Sequence, residues 1–321
     1  MVALIALLQS LLLAVSGPAT SPEYLALRLA DAEGHFAREG LAVTIRTTRS
    51  EVGAAEALAQ GQAQLAATSL EALLRFGYRD PRNLPRLVFG LTAAPPVALL
   101  IPESLAATLT SVRQLAGLRI GVTSPGAPEQ AWLNALLRQA GLDVTDVEIV
   151  SLGTRPLAAA LNAGQVQAAV VPEPQASGLL ADGSAALLVD LRSPEAAARA
   201  VGGPTVNAAV FARDRDEVHP RLLAAFARAV LAAERRIEQA PADALAGVLP
   251  EAVVGAPAEF EHRVQTARRL YLPGGSVTPA QLERTVAMIR AAAPLPASPR
   301  WPGAGRMLAI PPLTPRPPVT R

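Results

Sequence analysis

The stretch Gly40–Glu71, GLAVTIRTTRSEVGAAEALAQGQAQLAATSLE, is echoed further along the chain by Gly141–Glu173, GLDVTDVEIVSLGTRPLAAALNAGQVQAAVVPE. Gly40-Leu41 matches Gly141-Leu142, Gly61-Gln62 matches Gly164-Gln165 and Glu71 matches Glu173, at offsets of 101, 103 and 102. Two copies of one unit predict two similar lobes. The match also reaches back, because Ser16-Gly17-Pro18 and Pro22-Glu23 ahead of the first copy parallel Thr123-Ser124-Pro125-Gly126 and Pro128-Glu129 ahead of the second.

Each copy reads as alternating strand and helix. In the first, Leu11–Val15 is an apolar run ending in a Ser-Gly-Pro turn, and Ser21-Pro22-Glu23 has the form of a helix start that runs on toward Gly34. Val43–Arg46 alternates as a strand, Ala54–Gln60 is a short helix stopped by Gly61, and Gln64–Ala67 is the next strand. Strand, helix, strand, helix, strand is the pattern of a parallel sheet. Leu118–Val122 restarts it with a helix opening at Pro128-Glu129. Leu87–Leu91, Val97–Ile101, Ala185–Leu191 and Val206–Phe211 read as further strands. Four helices are then expected at Pro220–Gln239, Pro241–Leu249, Ala258–Leu270 and Pro279–Ala293, and from Pro294 on, Pro and Gly predict an extended or disordered tail.

The 321 residues exceed one typical core, in keeping with two lobes. Half the residues are hydrophobic and only 3% aromatic, so the core must be built from Ala, Leu and Val. The formal net charge is +2 and no basic run stands out, which argues against a nucleic-acid partner. The chain has neither Lys nor Cys, which excludes Schiff-base chemistry, disulfides and thiolate nucleophiles. His35, His219 and His262 lie in no ligand spacing, so no metal site is expected, nor any cofactor. Val2–Val15 is too short for a membrane span, which needs roughly 20 apolar residues. Its end resembles a signal cleavage site, but a cut after Ser16 would remove the first strand; Met1–Ser10 is therefore left as a leader remnant or disordered.

The run Glu33-Gly34-His35-Phe36-Ala37-Arg38-Glu39-Gly40-Leu41, followed by Ala57-Leu58 and Gly61-Gln62, resembles the nitrate, sulfonate and taurine group of solute-binding proteins serving ABC transporters, a group that includes pyrimidine-precursor binders. The similarity continues through LAGLRIGV at Leu115–Val122 and VNAAVFARDRDEVHPRLLAAFARAV at Val206–Val230. The resemblance implies an α/β, two-lobe periplasmic-binding-protein type II fold. Each lobe would be a mostly parallel sheet flanked by helices, with two interlobe crossings at Val97–Ile101 and Val206–Val210. Lobe I would comprise residues 11–98 and 209–293, lobe II residues 99–208, and residues 294–321 a Pro-rich tail. It implies a monomeric, non-enzymatic, periplasmic protein that binds a small anionic solute, sulfonate- or nitrate-like, and delivers it to a membrane permease. A pyrimidine-precursor binder, a sensor and an enzyme on the same fold are the alternatives. Gln64 and Gln167 stand where the family usually carries Asp; as both copies differ alike, the change is read as structural.

Ligands of open parallel sheets sit beyond the carboxyl ends of the strands, which nominates the loops Gly17–Tyr24, Thr47–Gly53, Thr68–Leu70, Thr123–Ala127, Gly153–Pro156 and Pro172–Gln175. Ser21 and Ser124 are either anion donors at helix starts or caps of their own helices. Arg49 and Arg155 follow matched strands and form either a two-lobe anion clamp or solvated surface charges. Tyr24 is a cleft wall or a core ring. Thr68 and Ser69 end the third strand. Asn207 meets ligand or satisfies hinge backbone, and Glu173 meets a cation or holds a loop. Glu23 is read as a first-turn acid complementing the helix dipole, and His35 as a packed residue.

Overall fold

The computed structural model describes residues 9–77, 85–123, 128–213, 218–292 and 303–310. Among these residues, ten strands form two five-stranded sheets. The first contains β1 (Gln9–Val15), β2 (Leu41–Thr47), β3 (Leu65–Ser69), β4 (Pro85–Gly90) and β10 (Ala208–Arg213), in the order β2-β1-β3-β10-β4. The second contains β5 (Val97–Pro102), β6 (Arg119–Val122), β7 (Glu148–Ser151), β8 (Ala168–Pro172) and β9 (Ala185–Asp190), in the order β7-β6-β8-β5-β9. The two orders are the same plan. In each, three parallel strands are followed by one antiparallel strand, β10 or β5, contributed by the chain just after it has crossed from the other sheet.

Strand alternation sorts side chains into layers on the two faces of each sheet. From β1, Leu11, Leu13 and Val15 enter one core while Ala14 enters the other; from β10, Val210 and Phe211 divide in the same way. In the second sheet Leu99 and Val170 point to one side, Leu100 and Val171 to the other. Both faces being covered, β3 and β5 are buried along their whole length. The helix Pro220–Gln239 covers the first sheet with Leu223, Phe226, Ala227, Val230 and Ile237, a stripe at helical spacing, and Phe226 stacks on Phe36 with centroids 5.2 Å apart. Its start is set by Pro220 and by His219, whose Nδ1 accepts from the Arg221 amide at 3.1 Å.

The repeat that marks the sequence is scaffold. Gly40 and Gly141 sit at φ +78° and +77°, Gly61 and Gly164 at +71° and +68°, the left-handed turn that ends a helix and releases the chain into a strand. The two Gln residues do one job twice: Gln64 Oε1 accepts from the Leu12 amide at 2.8 Å and Gln167 Oε1 from the Arg119 amide at 3.1 Å, satisfying the matching strand of each lobe.

Three details differ from the sequence reading. The crossings lie one step ahead of the expected strands, at residues 91–96 and 202–207, because Val97–Pro102 is already paired within the second sheet and Ala208–Arg213 within the first. The helix expected at Pro241–Leu249 is broken into Ala242–Ala246 and Glu251–Val254, with Gly247 and Pro250 between the pieces. Part of the expected loose tail is ordered. Residues 303–310 carry a short helix, Ala304–Met307, with Ala304 and Met307 buried, and lie along β4 through the Ala309 amide to Leu87 O bond at 2.8 Å. The remainder of 294–321, like Met1 to Leu8, is outside the described residues.

The two crossings are bonded to one another. Asn207 N donates to Thr92 O at 2.8 Å, Thr205 Oγ1 to Ala93 O at 2.8 Å, and the amides of Leu91 and Thr92 both donate to Ala208 O at 3.0 Å. Behind them, Gln281 of the helix Pro279–Ala292 donates from Nε2 to Thr205 O at 2.5 Å. Among the described residues, no helix is long and apolar enough to cross a membrane.

Candidate functional site

A cleft of about 600 Å³ opens between the two sheets. Its wall is made by the residues that follow strands: Gly17 after β1, Arg49 to Val52 after β2, Thr123 after β6, Gly153 after β7 and Glu173 to Gln175 after β8. Pro95, Pro96 and Asn207 of the crossings form its floor, and Glu259 and Arg263 join from the helix Pro257–Leu270. This is where the strand-end rule places a ligand, and the volume suits a small molecule.

The residues expected at the site separate into three groups. Ser21, Arg49, Glu173 and Asn207 line the cleft. Tyr24, Thr68 and Ser69 are fully buried behind the wall and hold it in place: Tyr24 OH donates to Glu51 Oε1 at 3.3 Å, Thr68 Oγ1 donates to Glu51 O at 2.9 Å, and Ser69 Oγ accepts from the Ala72 amide at 3.1 Å. Ser124 and the Arg155 side chain lie outside the described residues. His35 bonds Glu33 and Arg38 away from the cleft.

Several of the lining residues have a definite structural task. Ser21 makes no cap bond; its Oγ donates to Glu23 Oε2 at 3.3 Å. Glu173 is only 9% exposed, and its Oε1 accepts from Arg192 Nη1 at 2.9 Å and Ser177 Oγ at 2.8 Å, so it holds the loop before the helix Gln175–Ala181. Arg192 in turn donates from Nε to Asp190 at 2.8 Å. Arg263 directs its guanidinium at the carbonyls of Thr20 and Val253, each at 3.0 Å, and of Val254. Arg49 is exposed and pairs with no carboxylate among the described residues.

The acids are what sequence reading missed. Glu23, Glu51 and Glu129 line the cleft, the first two from the first lobe and the third from the second. Glu23 is 7% exposed; burial pushes its carboxyl well above the ordinary range and the charge of Glu51 pushes further, while Ser21 and Asn207 Nδ2 pull back by donating to it. Burial raises Glu51 to about 7, opposed by the nearby hydroxyl groups of Ser69 and Tyr24 and reinforced by Glu129 and Glu71. Burial also raises Glu129, against the Thr123 hydroxyl that donates to it. Glu71, at the end of β3, is raised by burial to about 7 with Arg75 pulling it back. One signal was present in the sequence: Pro22-Glu23 and Pro128-Glu129 are matched pairs at matched helix starts. Read singly, each looks like an acid complementing a helix dipole; read together they mark both walls of one cleft.

Two α/β lobes, crossed twice by the chain and enclosing a cleft at their strand ends, define the class of two-lobed proteins with the periplasmic-binding-protein fold. The NMT1/THI5-like family matches residues 21–244, and the chain belongs to that family. Among solved structures, a protein of Bordetella bronchiseptica is 25% identical, with a TM-score of 0.71 over 89% of this chain and 90% of that one. The alkanesulfonate-binding protein SsuA of Xanthomonas axonopodis pv. citri is 19% identical, with a TM-score of 0.64 over 94% and 98% of the two chains. The periplasmic nitrate-binding protein NrtA of Synechocystis PCC 6803 is 14% identical, with a TM-score of 0.59 over 85% and 73%. A search of curated proteins returned no match.

Proposed function

We propose that this protein is the extracytoplasmic solute-binding component of an ABC import system, closing its lobes over a small solute and handing it to a membrane permease. The observation that carries the reading is the cleft itself, walled by the strand ends of both lobes and floored by two crossings that are bonded to each other. Such a floor lets the lobes turn as bodies while the crossings stay paired, the hinge geometry of ligand closure. The family and the binding proteins among its structural neighbours support a binder rather than an enzyme.

A titration followed by small-angle scattering and thermal shift tests this. A ligand at 100 times its Kd should stabilise the protein by about 2.7 kcal/mol and reduce its radius of gyration. Tight binding with no compaction would count against closure. Delivery is tested by whether the loaded protein, and not the empty one, stimulates ATP hydrolysis by the reconstituted permease complex.

A sulfonate- or nitrate-like solute is the second reading. The ligands of SsuA and NrtA favour it, and Arg49 is the exposed cation in the cleft that would meet it. The carboxyl groups of Glu23 and Glu51 on the same wall and of Glu129 on the opposite one favour a solute with positive charge.

A further inference from the structure

We propose that the solute carries a protonated amine or an amidinium group, seated between Glu23, Glu51 and Glu129. This rests on the solute-binding reading and names the chemistry of the same cleft. Five carboxyl side chains line the cleft among the described residues, Glu23, Glu51, Glu129, Glu173 and Glu259, against two guanidinium groups, Arg49 and Arg263. The cations nearby are otherwise engaged or distant in role. Arg192 neutralises Glu173 and Asp190, Arg75 pairs with Glu71 behind the wall, Arg263 bonds carbonyl groups, and Arg49 is exposed. Among the described residues, what remains to Glu23, Glu51 and Glu129 is neutral donors: Ser21 and Asn207 on the first, Tyr24 with the Ser69 hydroxyl nearby on the second, Thr123 on the third.

A second observation comes from Glu51. One of its oxygens, Oε1, accepts from Tyr24, but Oε2 is buried with no hydrogen-bond partner among the described residues. A buried acceptor without a donor is costly, and like-charged carboxylates near one another in a low dielectric are costlier still. A bound ammonium with its N–H groups relieves both; a bound anion adds a further negative charge. Among the described residues no three acidic or His side chains are grouped so as to hold a metal ion. That favours an organic cation, whose N–H donors reach separate carboxyl groups, over a bare ion.

The test uses the whole chain at pH 8, with calorimetry and thermal shift against butylamine, 1,4-diaminobutane and agmatine, compared with butanol, butanesulfonate, nitrate and magnesium chloride at one ionic strength. At least one amine should bind and raise the melting temperature, and Glu51→Gln and Glu129→Gln should each weaken it at least tenfold. The two acids come from different lobes, so if one variant misfolds the other still decides. No response to any amine, an equal response to magnesium, or amine binding unchanged in both variants overturns the proposal. Binding and compaction with butanesulfonate or nitrate alone overturns it too while leaving the solute-binding reading standing. If scattering shows no compaction with any compound from a wider library of small solutes, it is the solute-binding reading that falls.

Discussion

Glu71 and Glu173 occupy the same place in the two copies of the repeat, and each is met by an Arg: Arg75 four residues on in the first lobe, Arg192 from beyond β9 in the second. Glu23 and Glu129 also occupy matched places, and among the described residues neither is paired with a cation. The first pair is neutralised from within and belongs to the structure. The second faces the cleft with neutral donors among the described residues, and in the proposal its counter-charge is carried by the solute. Both pairs are buried or half-buried, so in this proposal it is the presence of the partner that separates a structural acid from a ligand-facing one.

Breaking the neutralised pair should have the largest effect. Arg192→Met leaves Glu173 buried without its cation and should cost about 3–5 kcal/mol in urea unfolding, while Arg192→Met with Glu173→Gln should recover much of it. A second lobe as stable as before would erase the distinction between the two pairs.

The next effect is a slope in pH. Glu51 and Glu71 are raised from an ordinary 4.5 to about 7, so across that window the folded chain keeps protons that the unfolded chain gives up. Stability is then fully present below the ordinary value and is lost as pH rises through the folded one. The solute-free protein should melt lower at pH 8 than at pH 5, and Glu51→Gln should flatten the fall. In the proposed complex the trend with pH reverses for affinity, since an ammonium group binds better as the acid ionises.

Tyr24→Phe removes the donor to Glu51 while keeping the ring in the core, and should cost about 1 kcal/mol, with amine affinity falling because Glu51 is less well held. The smallest effect is expected at Arg49. Its replacement by Ala should change stability by no more than about 0.5 kcal/mol and leave amine binding unchanged, whereas a loss of butanesulfonate or nitrate binding would move weight to the anion reading.

The lobed architecture was legible because glycine and glutamine recur where the backbone requires them. A left-handed turn tolerates few residues, so Gly40, Gly61, Gly141 and Gly164 announce two units. The strand-end rule found loops that line the cleft, Gly17–Tyr24 and Thr47–Gly53 among them, but did not single out Glu23 and Glu51 within them. Arg49 stands out in a sequence as a charge, yet lies exposed, whereas Glu51 two positions on reads as an ordinary first-turn acid until Tyr24 and Thr68 are seen to hold it from behind. Those contacts span 27 and 17 residues, and no local pattern encodes them. Asn207 was legible only as an alternative between ligand and hinge. Its amide nitrogen bonds the opposite crossing and its side chain reaches Glu23, so it is built into both.

The segment 303–310, written off in the sequence for its prolines and glycines, has a bearing on how the protein can be handled. β4 is the outermost strand of the first sheet, and an outermost strand offers its unpaired groups to any other chain that comes near. Here Ala309 N occupies Leu87 O, and Arg86 Nη2 is held on Leu308 O at 3.0 Å. Trimming the chain ahead of Ala304 would tidy its end and at the same time strip the guard from that strand, and is expected to increase self-association through β4.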